Sequence, residues 1–513
     1  MTGKHCMIGI DLGLTGIKTG IFDTDGHCIG AGYEGIPIES PHPGWVEQDQ
    51  NHWWSEARRT IKKALQEAKI PPDEIAAIGV TAHGHGLSPL SRKGEFLSKC
   101  LTSQDQRAIE QRRWLKENLG IGSGHEALIS SKILWLKENR PEIFEKTYKF
   151  LFPGSVLLLK LTGEFAADVT NAADPAMFDY AKCDWSESLL DAAGIPREKL
   201  PEVYDRTNVV GEVTREAAEE TGLAEGTPVI AGAMDGACCL YGAGLVKAGR
   251  CVDLTGTVGI LVAAVPAKTS DKQASMGFMH SPAPGIVGIS ISFTRTAGGL
   301  YRWIRDQFCR MEVEVGSKTS ISEYELMDRE AEKVEPGSGG VFIIPHFVGR
   351  GMDLDVPRTG LIFGLTWTTR REQIIRAAME GWAYEMRRGL EASKLAEKGI
   401  EIEEVRAVGG GGRSRTWRQI KADVLGIPFS RINIDELGCF GVAILAGVGV
   451  GIFKDVVSPI ERIVKVVETN EPRDEYRERY DDLFKTYLKL NTTLEETGIY
   501  EQHNSTLERQ NLI

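Results

Sequence analysis

The sequence predicts an α/β protein made of two similar lobes, and three observations support this prediction. Glycine is abundant, with 57 among 513 residues, and many glycines cluster in short turns beside apolar strands. A unit of strand, Gly/Thr-rich turn and strand at 7–22 recurs at 251–266, which indicates an internal duplication. Apolar residues make up 42% of the chain and charged residues 26%, as in ordinary globular domains with their own cores. We expect an N-terminal lobe over 1–247, a C-terminal lobe over 248–490 and a polar tail over 491–513.

In the N-terminal half, glycines divide a run of apolar residues into strands. Residues 7–10 and 17–22 predict two strands around a turn at 13–16. Asp25-Gly26 predicts a two-residue hairpin turn to a third strand, because such turns need the positive φ angles that these residue types adopt. Further on, the sequence predicts a helix after residue 51 and buried strands at 75–81 and 228–233.

In the C-terminal half, the clearest predicted element is a helix with an apolar stripe. Thr369 and Glu372 predict a capping box at its start. Apolar residues follow at spacings typical of one helix face, namely Ile375, Met379, Trp382, Met386 and Leu390. A strand at 405–408 then meets Gly409–Gly412, and a second helix is predicted through Trp417.

The charge and composition of the chain exclude several classes of function. The formal net charge is −12 and no long block of basic residues occurs, so neither nucleic acid nor an anionic membrane is expected as a partner. The nine cysteines form no CxxC pair, which favours a reducing compartment over a disulfide framework. The sequence has no signal-peptide core, and no apolar run reaches the roughly 18 residues of a membrane span. We therefore expect a soluble, cytoplasmic protein.

The opening turn at 11–18 (DLGLTGIK) has the composition of a phosphate site. Backbone N–H groups of a glycine-rich turn between strands converge on a concavity that suits phosphate. Asp11 can hold a metal through water, and Lys18 can meet a phosphate charge. A tight hairpin without a ligand is an equally good interpretation, since turns favour these residues in any case. The absence of GxxxxGK[ST], and of GxGxxG after a strand, argues against a Walker loop and a dinucleotide-binding oxidoreductase.

Asp235 is the strongest candidate for a catalytic group. It ends the apolar strand at 228–233 and is followed by Gly236, which leaves room for a ligand beside its carboxylate. Phosphoryl transfer uses a carboxylate to accept the proton of the attacking hydroxyl group. On spacing alone, an Asp that caps the next helix is an equally good interpretation.

Four further polar residues are candidates for contacts with substrate hydroxyl groups: His83, His85, Asp105 and Arg107. The two histidines stand two residues apart, but no nearby carboxylate or cysteine completes a metal ligand set. Hydrogen bonding to hydroxyl groups therefore suits them better than metal binding.

Several segments resemble those of the FGGY carbohydrate kinases. Residues 8–13 (IGIDLG) look like the family's first phosphate motif, and 43–49 (PGWVEQD) like its N-terminal signature. Residues 131–136 (SKILWL) are also similar, and the most specific match is 360–380, where GLIFGL is followed after seven residues by QIIRAAME. The resemblance covers nearly all of 6–490 and implies two ribonuclease-H-like lobes of the sugar kinase/actin/heat-shock ATPase type, with a cleft between them.

The resemblance also implies an ATP-dependent reaction and a role for individual residues. It implies that Asp235 is the catalytic base, and that Asp11 and Asp235 hold Mg²⁺. In the first lobe, the residues implied to lie near the nucleotide phosphates are Gly13, Thr15 and Lys18. In the second lobe, the residues implied to bind ATP are Thr255, Gly256, Thr257, Gly298, Arg302, Gly410, Gly411 and Ser414. Gly438–Ala443 looks like a loop that connects the lobes.

The resemblance narrows the choice of substrate. The loop at 82–86 reads AHGHG where xylulose kinases typically read GQMHG, and Ser103 stands where many members have Trp. The Arg-Glu pair typical of glycerol kinases is absent. With the run LGCFG at 437–441, these features look like the L-xylulose kinase branch, with erythritol kinases nearby. We expect phosphorylation of a small sugar, a ketopentose such as L-xylulose, with a polyol such as erythritol or a pentitol as the alternative.

Two functions from other classes use the same fold. One is an actin-like ATPase coupled to a protein partner, because a fold alone does not fix a function. The other is a catalytically silent sugar sensor, which the presence of Asp11, Asp235 and both Gly/Thr turns disfavours. A homodimer is compatible with the resemblance, since dimers are common among such enzymes.

Overall fold

The protein folds into two compact units. A computed structural model describes residues 5–121, 127–173, 177–179, 181–267, 285–347 and 358–510. The first unit contains the described residues of 1–246 together with 285–288 and 436–464. The second unit contains the described residues of 247–267, 289–435 and 465–510, whereas the predicted second lobe ran without interruption from 248 to 490.

The first unit has fourteen described strands. They are β1 (Cys6–Leu12), β2 (Gly16–Phe22), β3 (Cys28–Gly35), β4 (Glu47–Gln48), β5 (Ile75–Ala82), β6 (Ser88–Leu90), β7 (Cys100–Leu101), β8 (Lys149–Leu151), β9 (Ala166–Asp168), β10 (Phe178–Asp179), β11 (Asp184–Trp185), β12 (Glu202–Tyr204), β13 (Val209–Glu212) and β14 (Pro228–Met234). The helices of this unit, as far as the chain is described, are Gln50–Ala68, Pro72–Glu74, Ile109–Leu119, Leu128–Asn139, Pro141–Lys146, Pro153–Thr162, Val169–Ala173, Glu187–Ala193, Arg197–Lys199, Arg215–Thr221, Asp235–Gly242, Leu437–Gly449 and Val457–Ile463.

The main sheet of the first unit has six strands in the order β13-β14-β5-β1-β2-β3. β1, β2 and β3 form an antiparallel meander, and β1, β5 and β14 run parallel. In this arrangement the carboxyl ends of β1, β5 and β14 meet at one edge of the sheet. Asp11, the loop after Ala82 and Asp235 all follow from those ends, so the topology gathers the predicted polar residues.

Helices cover both faces of this sheet at very short distances. The helix Gln50–Ala68 packs on β2 and β3 and buries Trp53 and Ile61. The helix Leu437–Gly449 packs on β1 and β5, and a Cβ atom on Gly9 would lie only 1.9 Å from the carbonyl oxygen of Cys439. Glycine at this position therefore allows backbone-to-backbone contact between strand and helix.

The second unit has eight described strands. They are β15 (Arg250–Thr255), β16 (Gly259–Pro266), β17 (Ile286–Thr294), β18 (Phe342–Ile344), β19 (Leu361–Phe363), β20 (Glu404–Val408), β21 (Phe429–Ile432) and β22 (Val466–Asn470). The helices of its described part are Gly298–Phe308, Arg310–Lys318, Glu323–Glu332, Ser338–Gly340, Arg371–Ser393, Ala396–Lys398, Gly410–Arg413, Arg415–Leu425, Asp474–Tyr476, Arg477–Glu496 and Ile499–Arg509.

The main sheet of the second unit repeats the topology of the first. Its order is β17-β16-β15-β20-β21-β22. The pairings from β16 to β22 are antiparallel, parallel, parallel and antiparallel, as they are from β2 through β1, β5 and β14 to β13. The predicted duplication is therefore confirmed at the level of whole sheets.

One turn prediction was wrong in detail. β2 ends at Phe22 and β3 begins at Cys28, so residues 23–27 form a wider turn than the two-residue hairpin predicted from Asp25-Gly26. The carboxylate of Asp23 stabilises that wider turn, because it accepts hydrogen bonds from the backbone N–H groups of Asp25 and His27 at 2.9 Å each.

Two predictions for helices of the C-terminal half also differ from the structure. One concerns where a helix starts, and the other concerns a segment that was predicted as a loop. The helix Arg371–Ser393 is capped at Arg370, whose N–H group donates to Gln373 at 2.7 Å, so the predicted Thr369 box is one residue out of register. Gly438–Ala443, predicted as a connecting loop, lies inside the helix Leu437–Gly449. None of the helices in the described part of the chain is both long and apolar enough to cross a membrane.

Candidate functional site

The first Gly/Thr turn joins β1 to β2. Asp11 on β1 lies directly opposite Lys18 on β2, and the N–H group of Gly13 closes the turn by donating to the carbonyl oxygen of Gly16 at 2.9 Å. Lys18 Nζ donates to Glu436 Oε2 at 2.7 Å. The strand register therefore fixes a carboxylate and an ammonium group beside the same turn, with about half of the lysine side chain buried.

Asp235 follows β14 and is the first residue of the helix Asp235–Gly242. Its Oδ1 atom accepts a hydrogen bond from the N–H group of Gly236 at 2.6 Å. Burial raises the pKa of Asp235 to about 6, although the Gly236 N–H group and His85 act in the opposite direction. The carboxylate is thus available as a base near neutral pH, and His85 is close enough to influence its charge.

Asp11 and Asp235 form a pair of half-buried acids. Burial, followed by the charge of Asp235, raises the pKa of Asp11 to about 7. The described residues contain no cluster of three or more His, Cys, Asp or Glu side chains that could enclose a metal ion. Two carboxylates are nevertheless what Mg²⁺ needs when water and phosphate oxygens complete its shell, and a cation there would relieve the repulsion between them. The residues present therefore fit a magnesium site of that kind.

The two histidines of the loop after β5 have different surroundings. His83 is buried, and its ring packs edge-on against Trp53 with 5.8 Å between the ring centroids. Burial lowers the pKa of His83 to about 4, so this ring is neutral at physiological pH. His85 has a left-handed backbone with φ of 62°, and its side chain lies near Asp235. Of the two, His85 has the better position for a ligand contact.

Lys132 holds this loop, and the sequence prediction missed it. Its buried Nζ atom donates to the carbonyl oxygens of His85 and Thr102, each at 2.6 Å. It therefore joins the His83–His85 loop to the segment that leads into Asp105. A lysine within the apolar run of the helix Leu128–Asn139 is the sequence signal that could have indicated this role.

Asp105 and Arg107 bind each other. The guanidinium of Arg107 donates to both carboxylate oxygens of Asp105, at 2.8 and 2.7 Å, and to Glu47 at 2.6 Å. It also stacks on the ring of Trp45 at 3.7 Å. The carboxylate of Asp105 also accepts a hydrogen bond from the backbone N–H group of Val46 at 2.8 Å. These bonds make the pair a buried support for the loop, and its direct contact with a substrate stays a prediction.

A cavity of about 870 Å³ in the second unit brings together all the residues of that unit predicted to bind ATP. Its lining includes Thr255, Gly256, Thr257, Gly298, Arg302, Gly410, Gly411 and Ser414. These residues come from three separate segments of the chain, so their convergence could not follow from spacing alone. The cavity is large enough for a nucleotide-sized ligand.

The second Gly/Thr turn is anchored from beneath by a buried ion pair. Lys421 Nζ donates to Asp253 Oδ2 at 2.6 Å and to Thr255 Oγ1 at 3.0 Å, and both charged side chains are fully buried. Thr255 in turn donates to Asp253 at 2.6 Å and accepts from Trp382 at 3.0 Å. The hydroxyl of Thr255 is therefore an internal anchor, so a phosphate at this turn would meet backbone groups.

The other two segments shape the cavity wall. The N–H group of Gly298 donates to the carbonyl oxygen of Gly256 at 2.9 Å, so the helix Gly298–Phe308 starts on the turn itself. Apart from the chain neighbours of Gly410 and its own helix, no atom of the described residues lies within 4 Å of where its Cβ would be, so the backbone there is open to a ligand. Ser414 caps the helix Arg415–Leu425, because its hydroxyl oxygen accepts a hydrogen bond from the backbone N–H group of Trp417 at 3.0 Å. This arrangement of a glycine turn and helix starts suits a bound anion.

The sequence prediction missed several residues that line the cavity, among them Tyr301, Tyr324 and Asp328. Tyr301 and Tyr324 stack with 5.9 Å between their ring centroids. Tyr301 donates its hydroxyl to Asp328 at 2.9 Å. Burial raises the pKa of Asp328 to about 6, although hydrogen bonds from Ser414 and Tyr301 act in the opposite direction. Tyr324 and Asp328 lie on the helix Glu323–Glu332, which contains none of the predicted site residues, whereas Tyr301 lies between the predicted Gly298 and Arg302.

Comparisons with known proteins identify the family of the chain. The model of the FGGY family of carbohydrate kinases, N-terminal domain, matches residues 6–242, and that of the C-terminal domain matches residues 256–450. Autoinducer-2 kinase of Escherichia coli is 30% identical over 507 residues, which cover 93% of this chain and 92% of that protein. Xylulose kinase of Escherichia coli is 27% identical over 469 residues, which cover 89% and 92%.

A solved structure agrees on the fold. The crystal structure of gluconate kinase from Lactobacillus acidophilus matches with a TM-score of 0.84 and 22% identity, covering 97% of this chain and 99% of that one. With the family matches, this confirms the predicted fold class of two ribonuclease-H-like lobes.

Proposed function

The chain belongs to the FGGY family of carbohydrate kinases, and from that premise we propose that it transfers the γ-phosphoryl group of ATP to a hydroxyl of a ketopentose such as L-xylulose. The observation that carries this proposal is Asp235, a half-buried carboxylate beside both His85 and the Asp11 turn, with a pKa of about 6. A carboxylate in that state can accept a hydroxyl proton at neutral pH.

In the proposed reaction, Asp235 takes the proton from a primary hydroxyl group of the sugar. The sugar oxygen forms a bond to the γ-phosphorus while the bond from that phosphorus to the β–γ bridging oxygen breaks, and ADP leaves. Asp11 and Asp235 would hold Mg²⁺, and the cation, when bound, would neutralise part of the phosphate charge. Backbone N–H groups of the turn at 255–257 would bind phosphate oxygens of the nucleotide, and stabilisation of the developing charge is where most of the catalysis lies.

The choice of a five-carbon sugar rests on the relatives and on the loop after β5. A relative 27% identical is a xylulose kinase, and His85 lies beside the proposed base. Autoinducer-2 is a second candidate substrate, because the kinase for that compound is 30% identical over nearly the whole chain. Erythritol and the pentitols remain the polyol alternatives.

The deciding experiment is ADP release from Mg-ATP across a panel of acceptors. The panel contains L- and D-ketopentoses, aldoses, tetritols, pentitols, glycerol, gluconate and autoinducer-2. We expect turnover that depends on the acceptor and is highest with a ketopentose. A higher kcat/KM for autoinducer-2 or a polyol would replace the ketopentose assignment. Equal ADP release with and without every acceptor would instead support an ATPase coupled to another partner.

A further inference from the structure

Asp328 differs from Glu323, Glu325 and Glu330 on its helix because, among the described residues, it has no cationic partner. On the helix Glu323–Glu332, Glu325 pairs with Arg329 at 2.7 Å and Glu330 pairs with Lys333 at 2.8 Å. Within the described part of the chain, Asp328 forms no salt bridge and is held by the hydroxyl groups of Tyr301 and Ser414. Its carboxylate is half-buried in the wall of the cavity.

A carboxylate in this setting selects for a neutral group that donates hydrogen bonds. An ionised carboxylate only accepts, and two hydroxyl donors leave it with unused acceptor capacity. A phosphate group would be repelled by it, so the phosphates of a bound nucleotide belong at the other segments of the cavity, near Gly256 and Gly298. The nucleoside end is then the part that can reach Asp328.

The vicinal diol of ribose matches these requirements. Its two adjacent hydroxyl groups can donate to the two oxygens of one carboxylate, and acidic side chains bind ribose in this way in other nucleotide sites. Tyr301 belongs to the helix that begins at Gly298, and Ser414 follows Gly410 and Gly411. Asp328 is therefore tied by hydrogen bonds to two of the other segments that line the cavity.

We propose that Asp328 binds the 2′,3′-diol of the nucleotide and makes this protein specific for ribonucleotides. This inference rests on the proposed function only in requiring that the cavity ligand is a nucleotide. It adds a specificity-determining residue that the sequence motifs do not contain.

The test is calorimetric binding of ADP, 2′-deoxy-ADP and 3′-deoxy-ADP to the full-length protein and to Asp328→Ala. We expect wild-type protein to bind ADP about 10- to 100-fold more tightly than either deoxy form, as for a hydrogen bond to a charged group. Asp328→Ala should lose most of that preference by weakening ADP binding alone. Glu330→Gln, on the same helix and paired away from the cavity, is the matched control and should retain the preference.

Other outcomes separate the alternatives. Equal weakening of ADP and both deoxy forms in Asp328→Ala would show a structural role and overturn the proposal, and Asp328→Asn, which keeps the shape of the side chain, distinguishes this from misfolding. A changed preference for ADP over GDP, with the deoxy preference intact, would assign Asp328 to the base and overturn the ribose assignment. Wild-type binding of ADP without any diol preference overturns this inference alone. No ADP binding by wild-type protein overturns the proposed function as well.

Discussion

At the scale of single residues, the protonation of two neighbouring acids controls the proposed chemistry. Burial raises the pKa of both Asp11 and Asp235 into the range of neutral pH. Lys18 offsets part of this effect at Asp11, but its own charge is shared with Glu436. The site therefore carries an excess of negative charge, which favours a cation and a proton as its ligands.

Asp235→Asn should remove the base and the negative charge of one of the two carboxylates proposed for Mg²⁺, with little change in the shape of the side chain. The amide has nearly the same shape and can still accept the N–H group of Gly236, but it cannot take a proton. We expect sugar-dependent kcat to fall by about 10²- to 10⁴-fold while ADP affinity stays within a factor of about two. The control is Asp191→Asn, an exposed acid on the helix Glu187–Ala193, which should retain wild-type turnover. Full turnover in Asp235→Asn would refute the assignment of the base.

The pKa of about 6 for Asp235 predicts the direction of the pH dependence. The base works only when deprotonated, so kcat/KM for the sugar should be constant above pH 7 and fall as the pH drops through about 6. The measurement is sugar-dependent ADP release at saturating Mg-ATP from pH 5 to 8.5. A flat profile down to pH 5, below the pKa, would contradict a catalytic role for this carboxylate.

At the scale of secondary-structure elements, the ion pair between Asp253 and Lys421 joins β15 to the helix Arg415–Leu425. This strand ends in the second Gly/Thr turn, and this helix starts at Ser414. The pair thus fixes two of the segments that line the cavity relative to each other. Since both charges are fully buried, neither partner can be removed without leaving the other uncompensated.

Lys421→Met alone should lower the free energy of unfolding of the second unit by about 3–5 kcal/mol, because Asp253 would remain buried and unpaired. Asp253→Leu alone should destabilise the unit by a similar amount. The double variant should recover most of the loss, since the two apolar side chains replace the pair without a stranded charge. Urea unfolding monitored at the tryptophans measures the free energy of unfolding of all three variants. A loss in the double variant that equals the sum of the two single losses would contradict the pairing.

At the scale of the whole molecule, the sequence pattern predicted the two related sheets correctly. It did not predict which segments of the chain belong to each unit. The repeated strand–turn–strand units at 7–22 and 251–266 predicted two related sheets, because strand order follows from local hairpins and glycine turns. The assignment of 436–464 to the first unit was not predicted. The helix Leu437–Gly449 is apolar on nearly all sides, so its composition shows burial without showing what buries it.

The candidate site shows the same limit. Glycines and aspartates in turns could be found by residue type, because phosphate and proton chemistry restricts what those positions can hold. The role of Asp328 could not, since it depends on a contact with Tyr301 that is distant in the chain, and for Lys132 the apolar run around it indicated burial but not its bond to His85. The Asp105–Arg107 pair shows the converse, because two residues predicted to face a substrate bind each other.

The distribution of the site over the whole molecule leads to a final prediction. The residues proposed for the sugar, such as His85 and Asp235, belong to the first unit, whereas the cavity proposed for the nucleotide belongs wholly to the second. ADP and the sugar should therefore bind together, and because ADP cannot donate a phosphoryl group the ternary complex can be titrated at equilibrium. We expect the Kd of ADP to be unchanged or lower when the sugar is present at 100 times its own Kd. Competition for a shared site would instead weaken ADP binding about 100-fold under that condition, which calorimetry would detect at once. That result would place both ligands in one unit and would refute the division of roles proposed for the two lobes.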